Sequence, residues 1–361
     1  MKKILKISII ITVAFLSCKK SYKEKNIEII KFNESSFENK KYINGSIDKI
    51  NLPCNPIYFY LYRDSILIIN NIKPDLYYIT LYNLKKQQKI KEIARRGKGP
   101  NEYLSSYLIC DDENHNYFIV QDIHKNEVSI FYLDSVLKKD NYIPERVKVP
   151  YYTRTVAILD SNYLVGYNGY YLMNEKYKNN VNCLFLINRK NKAKNKNEDI
   201  PFKYFTINAT GGKILVSERK DLIWVVHYYF PRIDLYNKKL QKIKSFYGPK
   251  SEEPIYEIYN RGDYQEIYFA KGLEYQVYNE AQIKGDSIFI GYIAVYNKPI
   301  IKNLSVYNNS IILLLNATGK FIYKYYLDHN ARFFTIDKTG KKLYGQQELD
   351  HCPEEIITYD F

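Results

Sequence analysis

The stretch Arg95-Arg96-Gly97-Lys98-Gly99-Pro100-Asn101-Glu102-Tyr103 joins two segments that are rich in strand-forming residues. Its two glycines and its proline are closely spaced, so the stretch is predicted to form a tight connection with partly positive φ angles. The flanking arginines, lysine, glutamate and tyrosine carry side chains that commonly bind ligands. Two interpretations stay open for this stretch: a recognition loop, or a solvated turn between strands.

Apolar runs typical of strands recur on both sides of this stretch, about every 45 to 65 residues. Each repeat has three or four such runs separated by polar turns, and its second run starts at or near an Asp or Asn. The starting residues are Asp64, Asn116, Asp160, Asp221, Asp286 and Asp337. Six copies predict six units of up to four strands. The abundance of Tyr, at 39 residues, also favours strands over helices.

The last unit lacks a fourth run, and the run from Ile47 to Leu52, ahead of the first unit, can supply it. Closure between the two ends of a chain is how β-propellers remove open sheet edges. The pattern therefore predicts an all-β fold, a six-bladed β-propeller closed by pairing an N-terminal strand with the C-terminal blade. The closure would bring Cys54 near the sheet that contains Cys352. A two-sheet sandwich is the alternative.

Two further features of the repeats are specific enough to test. The run from Ile200 to Phe205 is predicted to be the fourth strand of the third unit. The segment from Pro249 to about Gln276 is predicted to be a long insertion between blades. Connections between blades open on the same face of a propeller as those between second and third strands, so the irregular segments are expected to collect on one face.

The glycine-rich stretch resembles the G-x-G-P-x-E-[YF] signature of the TolB-like six-bladed β-propeller lipoproteins of bacteria. The run Tyr323 to Asp328 and the segment Phe334 to Asp337 are similar to that family's closing blade. The resemblance covers essentially all of residues 46–361. It implies the propeller fold and a place in the cell envelope, and it implies no particular reaction.

The N-terminus carries the features of a secretory signal: lysines in residues 1–6, an apolar run from Ile7 to Leu16, and then Ser17. Cys18 follows directly and resembles the lipidated cysteine of bacterial lipoproteins, although Phe15 stands where that motif usually has Leu. We expect residues 1–17 to be a signal peptide, residues 18–45 a lipidated cysteine with a flexible tether, and residues 46–361 the propeller. Lys19 and Lys20 follow the cysteine, and by resemblance to known lipoproteins this implies anchoring through Cys18 to the outer membrane, facing the periplasm.

The formal net charge of +15 could suggest a nucleic-acid partner, but the lysines are spread along the chain beside Asn, Ile and Tyr. No nucleic-acid partner is therefore expected. The chain has no Cys-x-x-Cys motif, and we expect no metal and no cofactor. His227 follows an apolar strand and is predicted to be a satisfied core residue.

The predicted function is binding: the loop-rich face would hold an unknown envelope protein or a glycan. Tyr and Arg are enriched among residues that dominate recognition, because they combine a large contact area with directional donors. The predicted site residues are Arg95, Arg96, Lys98, Glu102, Tyr103, Tyr151, Tyr152 and Arg154. No catalytic residue is assigned. The alternative is a metal-dependent propeller hydrolase, lactonase or lyase with its site at the central channel, which would need several carboxylate, Asn or His ligands there.

Overall fold

Runs of Val, Ile, Leu, Tyr and Phe form the strands of the structure, which is a computed structural model. It describes residues 27–49, 56–71, 75–109, 117–150, 153–167, 184–190, 204–205, 211–217, 219, 221–250, 252, 255–261, 264–270, 273–299, 310–329, 331–347 and 355–361. Within these residues, no helix has the length and apolar character needed to cross a bilayer.

In chain order the strands before residue 150 are β1 (Glu28–Lys31), β2 (Asn39–Ile43), β3 (Ser46–Lys49), β4 (Pro56–Tyr62), β5 (Ile66–Asn71), β6 (Tyr77–Asn83), β7 (Gln88–Arg95), β8 (Tyr107–Ile109), β9 (Tyr117–Asp122), β10 (Glu127–Tyr132) and β11 (Glu145–Lys148). The short helix α1 (Leu133–Lys138) lies between β10 and β11.

The later strands are β12 (Thr155–Ile158), β13 (Tyr163–Tyr167), β14 (Leu184–Asn188), β15 (Tyr204–Phe205), β16 (Gly212–Val216), β17 (Leu222–His227), β18 (Arg232–Asn237), β19 (Lys242–Tyr247), β20 (Tyr256–Arg261), β21 (Tyr264–Phe269), β22 (Leu273–Lys284), β23 (Ser287–Pro299), β24 (Ile311–Asn316), β25 (Phe321–Leu327), β26 (Ala331–Ile336), β27 (Lys342–Gln347) and β28 (Glu355–Asp360).

These strands form six blades. Blade 1 is β4-β5-β6-β7, blade 2 is β8-β9-β10-β11, blade 3 is β12-β13-β14, blade 4 contains β16 to β19, blade 5 contains β22 to β25, and blade 6 is β26-β27-β28-β3. The first strands of neighbouring blades contact each other: β8 contacts β12, β12 contacts β16, β16 contacts β22, β22 contacts β26, and β26 contacts β4; the ring is completed by the contact of β8 with β5 of blade 1. The first strands therefore line the central axis, and the predicted six-bladed propeller is confirmed.

The predicted second strands are confirmed in all six blades, as β5, β9, β13, β17, β23 and β27. In two blades, the carboxylate of this Asp satisfies backbone N–H groups of the turn before the second strand. The Asp160 carboxylate accepts hydrogen bonds from the N–H groups of Asn162 and Tyr163, at 2.7 and 2.8 Å. The Asp337 carboxylate accepts bonds from the N–H groups of Lys341 and Lys342, both at 2.9 Å.

Closure of the ring is also confirmed. Strand β3 pairs antiparallel with β28, with Ile47 opposite Ile357 and Ser46 opposite Thr358. An N-terminal strand thus completes the C-terminal blade as its fourth, outer strand and covers the edge of β28. Cys54 and Cys352, the predicted neighbours at this closure, lie outside the described residues.

The prediction of a flexible tether up to residue 45 is wrong for residues 27–45. Strand β1 pairs parallel with β19 on the outer edge of blade 4, and β2 pairs parallel with β25 on the outer edge of blade 5. We call residues 28–43 the strap. Phe32 and Phe37 between its strands are buried, and the rings of Phe32 and Phe321 lie 4.7 Å apart. Burial of a Phe side chain contributes about 1.5–3 kcal/mol, so two such residues can order a segment whose strands are mostly exposed.

The prediction of a fourth strand for the third unit is wrong, whereas the predicted insertion between blades is present as a hairpin. Strand β15, the described part of the run from Ile200 to Phe205, pairs parallel with β21 and not with blade 3. The predicted insertion forms the hairpin of β20 and β21, in which Arg261 pairs with Tyr264. The hairpin offers β15 an open edge, and edge pairing depends on tertiary neighbours that the local pattern does not contain.

Candidate functional site

The predicted recognition stretch forms a closed loop between β7 and β8. The Gly99 N–H donates to the Glu102 carboxylate at 2.8 Å, and Arg95 Nε lies 3.5 Å from the same carboxylate. The Gly97 N–H donates to the Tyr103 carbonyl at 2.9 Å. Lys125, from the connection between β9 and β10, donates from Nζ to the Gly99 and Glu102 carbonyls at 2.8 and 2.6 Å. The acidic and glycine positions of the motif thus shape the loop itself.

Gly97 shows why this loop requires glycine. A Cβ at this position would lie 2.0 Å from Glu102 Oε2, and the φ angle of Gly97 is +157°. Any larger residue would therefore displace the carboxylate that holds the loop closed. Arg96 and Lys98 remain exposed on the outside of the loop, as a recognition surface requires.

Tyr103 lies in the core and not on the predicted binding surface, which corrects its place in the site. Its side chain is 2% exposed, its hydroxyl donates to Ser129 Oγ at 2.8 Å, and the Arg146 guanidinium lies 5.1 Å from its ring centroid. Burial raises the pKa of Tyr103. The ring therefore anchors the loop to blade 2, and the letters of the motif could not distinguish an anchoring tyrosine from a binding one.

Arg154 lies where the sequence predicted, on the connection that leads into β12. It is half-buried, and its backbone N–H donates to the Tyr167 carbonyl at 3.0 Å. Burial lowers the pKa of Arg154, and the nearby Tyr107 partly opposes this effect. Tyr151, Tyr152 and the lipidation residue Cys18 lie outside the described residues.

The structure brings together a second set of side chains, which the sequence did not indicate. Lys213 of β16 lies 3.2 Å from the Glu280 carboxylate of β22 and donates to the Tyr60 hydroxyl of β4 at 2.6 Å. The Tyr60 hydroxyl in turn lies 3.3 Å from Glu280 Oε2. Blades 1 and 4 are opposite each other in a ring of six, so these side chains can meet only across the axis. All three residues are buried.

Tyrosine rings surround this contact. Tyr58 lies 5.6 Å from the Tyr107 ring and 4.6 Å from the Phe333 ring, both measured between centroids, which connects blade 1 to blades 2 and 6. Tyr228 and Tyr229, between β17 and β18, are half-buried. Burial raises the pKa of Tyr58 and of Tyr228 well above the usual value, and neighbouring tyrosines together with Glu280 add to the rise.

We call this set the channel-mouth cluster. Its members are Tyr58, Tyr60, Tyr107, Arg154, Lys213, Tyr228, Tyr229 and Glu280. Tyr107 begins β8, Arg154 directly precedes β12, and Lys213 is the second residue of β16. First strands start at the face where inter-blade connections open, so the cluster lies on the same face as the glycine-rich loop. No shared position in the repeat marks the buried trio, because Lys213 is the second residue of its first strand, Tyr60 the fifth and Glu280 the eighth.

Metal ligands do not converge at the channel in the part of the chain that the structure describes. No three His, Cys, Asp or Glu side chains there lie close enough together to hold one ion. The channel-mouth cluster itself contains a single carboxylate, that of Glu280, which Lys213 and Tyr60 already contact.

A separate buried network lies in blade 4 and reaches blade 3 through Tyr167. His227 Nδ1 lies 2.8 Å from the Tyr167 hydroxyl, and His227 Nε2 lies 3.1 Å from Asp234 Oδ2. Arg232 Nε and Ser245 Oγ donate to Asp234 Oδ1 at 2.8 and 2.6 Å. Burial alone would raise the pKa of Asp234, but the charge of Arg232 and the bond from His227 outweigh it and hold the pKa well below its usual range. The predicted core role of His227 is confirmed, since it is 0% exposed.

Comparison with known proteins places this architecture in a family. The model of the TolB-like 6-blade propeller-like family matches residues 56–339, most of the chain. The chain belongs to the TolB-like propellers. The match begins at blade 1 and leaves out the strap, and it includes the glycine-rich loop that carries the family signature.

Two solved structures from Bacteroides species share the fold of this TolB-like propeller. One is a member of the DUF4221 family from Bacteroides vulgatus, with a TM-score of 0.51 and 9% identity over 87% of this chain and 94% of the other. The second is a protein from Bacteroides fragilis described as exported, with a TM-score of 0.51 and 13% identity over 92% of this chain and 98% of the other. At these identities the likeness concerns the fold alone. No curated protein matches the chain in sequence.

Proposed function

We propose that this TolB-like propeller is a cell-envelope lipoprotein that captures a protein or a glycan through the face that carries the channel-mouth cluster. One observation carries the proposal. Side chains from different blades converge at the axis, at the same face on which the glycine-rich loop opens. Convergent polar and aromatic groups in a concave place are the usual mark of a ligand site.

The glycine-rich loop supports the channel-mouth cluster by fixing the backbone that leads into β8. Tyr103 anchors the loop to blade 2, and the chain reaches Tyr107 of the channel-mouth cluster four residues later. Between them, the Leu104 N–H donates to Asp122 at 2.8 Å and Ser106 Oγ donates to Asn70 at 2.9 Å. The loop therefore fixes where β8 begins and positions Tyr107, while Arg96 and Lys98 extend the same face outward.

The location in the envelope rests on the signal-like N-terminus and on Cys18, as the sequence predicts. A distant structural relative from Bacteroides fragilis, described as exported, agrees with secretion. The strap modifies this proposal, because it fixes the chain to blades 4 and 5 from residue 28 onward. The ten residues from Cys18 to the start of the strap can span at most about 35 Å, so the propeller would stay close to the membrane.

Capture from the native envelope tests the proposal. The full-length lipoprotein would be expressed in its own host, crosslinked and purified, and its partners compared between variants. We expect Arg96→Ala with Lys98→Ala, and separately Arg154→Ala, to reduce capture of a specific protein or glycan. The matched control is Lys85→Ala with Lys86→Ala, which removes two exposed charges from the turn between β6 and β7 on the opposite face. Equal capture by all three variants and the unchanged protein would refute the proposal.

Lipidation needs its own measurement. Metabolic labelling with a palmitate analogue should mark the unchanged protein and fail to mark Cys18→Ala. If the wild-type protein is neither labelled nor recovered with the membranes, the lipid anchor is refuted. The proposed binding face does not depend on this result.

A further inference from the structure

The strap has two different sides, because successive side chains of a strand point in opposite directions. On its inner side Phe32 and Ile43 are buried, and Ile30 packs against the core that blades 4 and 5 share. On its outer side Ile29 and Tyr42 are 61% and 78% exposed. Each strap strand thus carries a large aliphatic or aromatic side chain that the core of the protein does not cover.

The outer side is built in the same way on both blades. The turns before β19 and β25 each close with a bond of 3.0 Å from an Asn N–H to the carbonyl four residues later. Counted from these turns, β1 and β2 pair with their blades in the same register. This register directs Ile29 and Lys31 of β1, and Lys40 and Tyr42 of β2, to the outer side. Tyr42 also stacks on Tyr326 at 4.7 Å between ring centroids, which holds its ring at the surface.

The charges that the strap leaves uncompensated are mainly positive. Its ionisable residues are Glu28, Lys31, Glu34, Glu38, Lys40 and Lys41. Glu28 compensates a lysine of blade 4, since it pairs with Lys244 at 3.0 Å. Glu34 compensates a buried lysine of blade 5, since it pairs with Lys324 at 2.6 Å. Three exposed lysines of the strap therefore stand against the single carboxylate of Glu38.

The chain reaches the strap directly from the predicted lipid anchor. Residues 19–27 contain four lysines and one glutamate, and their length keeps the strap within about 35 Å of Cys18. Anionic phospholipids attract basic residues beside an anchor, and the attraction falls off within about 8 Å at physiological salt. Among the described parts of the fold, the strap is therefore the first to meet the membrane surface.

The strap also lies where a membrane would leave the candidate site open. It follows the outer edges of blades 4 and 5, whereas the first strands and the channel-mouth cluster lie at the axis. A membrane against the strap would contact the rim of the propeller and not the face on which the inter-blade connections open. Docking by the rim is therefore compatible with capture of a partner at that face.

We propose that the outer side of the strap docks on an anionic phospholipid surface, so that the propeller rests on the membrane by the rim of blades 4 and 5. Ile29 and the Tyr42 ring enter the headgroup region, where tyrosine is enriched in membrane proteins. Lys31 and Lys40 contact lipid phosphates, and their alkyl stems cover apolar surface. The inference rests on the lipid anchor of the proposed function and adds the surface that orients the anchored protein.

Energy transfer in vesicles tests the inference. Trp224, the single tryptophan of the chain, is buried in β17 of blade 4, so transfer from it to a dansyl label on lipid headgroups reports how close this blade lies to the membrane. The protein from its own host is reconstituted in phosphatidylcholine vesicles, with and without phosphatidylglycerol at about 2:1. Transfer should be stronger in the anionic vesicles, and added salt should reduce the difference.

Two strap variants and a matched control complete the experiment. Lys31→Ala with Lys40→Ala should lower the ratio of docked to undocked protein about 30-fold, because each lysine near an anionic surface contributes about fivefold. Ile29→Ser with Tyr42→Ser should lower transfer in both kinds of vesicle. Lys85→Ala with Lys86→Ala removes two exposed charges from blade 1, across the ring from blade 4, and should leave transfer unchanged. Circular dichroism checks that each variant is folded.

Equal transfer in the two kinds of vesicle, or unchanged transfer in both strap variants, would overturn the inference. Strap variants that lose envelope capture without losing transfer would show that a protein occupies this side instead, which also overturns it. A protein that carries no lipid is tested by flotation with the same anionic vesicles, and failure to float overturns the inference as well. Failure of the proposed binding face is seen separately, as capture that no variant of that face affects while transfer stays sensitive to salt.

Discussion

Removing the Glu280 carboxylate should destabilise the propeller strongly, because Lys213 would keep its charge in a place with little access to water. The two side chains are 2% and 6% exposed and 3.2 Å apart. Breaking a buried ion pair by truncating one partner costs about 3–5 kcal/mol, since the remaining charge is left uncompensated. Replacing both partners by apolar residues of similar size costs far less, because no charge then remains buried. The double variant Lys213→Met with Glu280→Leu should therefore recover most of the loss in Glu280→Ala.

The size of the effect on stability can be measured by thermal unfolding of the protein. An unfolding entropy of about 2.1 cal/mol/K per residue over roughly 300 residues gives about 0.6 kcal/mol/K, so Glu280→Ala should lower the midpoint by about 5–8 °C. The matched control is Glu92→Ala, which breaks the Lys89–Glu92 pair at 3.0 Å on the surface. Exposed pairs contribute about 0–1 kcal/mol, so the control should shift the midpoint by less than about 2 °C. Two results would refute the argument that Glu280 compensates a buried charge on Lys213. One is a shift in midpoint for Glu280→Ala no larger than that of the control, and the other is a double variant as unstable as the single one.

Three further changes follow from the same structure. Gly97→Ala should lower the free energy of unfolding in denaturant by about 1–3 kcal/mol, because the alanine Cβ would lie 2.0 Å from Glu102 Oε2. An unchanged denaturation midpoint would contradict the closed conformation of this loop. Glu34→Ala should loosen the strap, because Glu34 pairs at 2.6 Å with Lys324, whose side chain is 0% exposed. We expect faster hydrogen exchange confined to residues 28–43. Unchanged exchange in these residues would contradict a role of this ion pair in holding the strap. Burial lowers the pKa of His227 in the folded protein. Below about pH 6.5 the unfolded chain therefore binds a proton at this histidine that the folded protein does not bind. The free energy of unfolding should then fall as the pH drops, by at most about 1.4 kcal/mol per pH unit. His227→Gln should reduce this slope, and an identical slope would assign the titration to other groups.

The predicted binding residues differ in their exposure to solvent. Arg96 and Lys98 are exposed and Arg154 lies at the channel mouth, so these predictions are compatible with a site on that face. Tyr103 is buried and anchors the loop. The motif could not indicate this, because a tyrosine fits the motif equally well whether its ring points to solvent or into a blade. The Lys213–Glu280 contact was missed, because its members come from different blades and neither stands out in its own strand.

The sequence by itself determined the number of blades, the second strand of each, and the strand that closes the ring. These features are local or periodic: apolar runs predict strands, and an Asp or Asn recurs before each second strand, where the Asp160 and Asp337 carboxylates bond to backbone N–H groups. Only the tertiary structure decided the course of the strap, the pairing of β15 and the content of the channel mouth. Each of these depends on which edges and which side chains meet after the blades close into a ring, and that information lies in no single stretch of the chain.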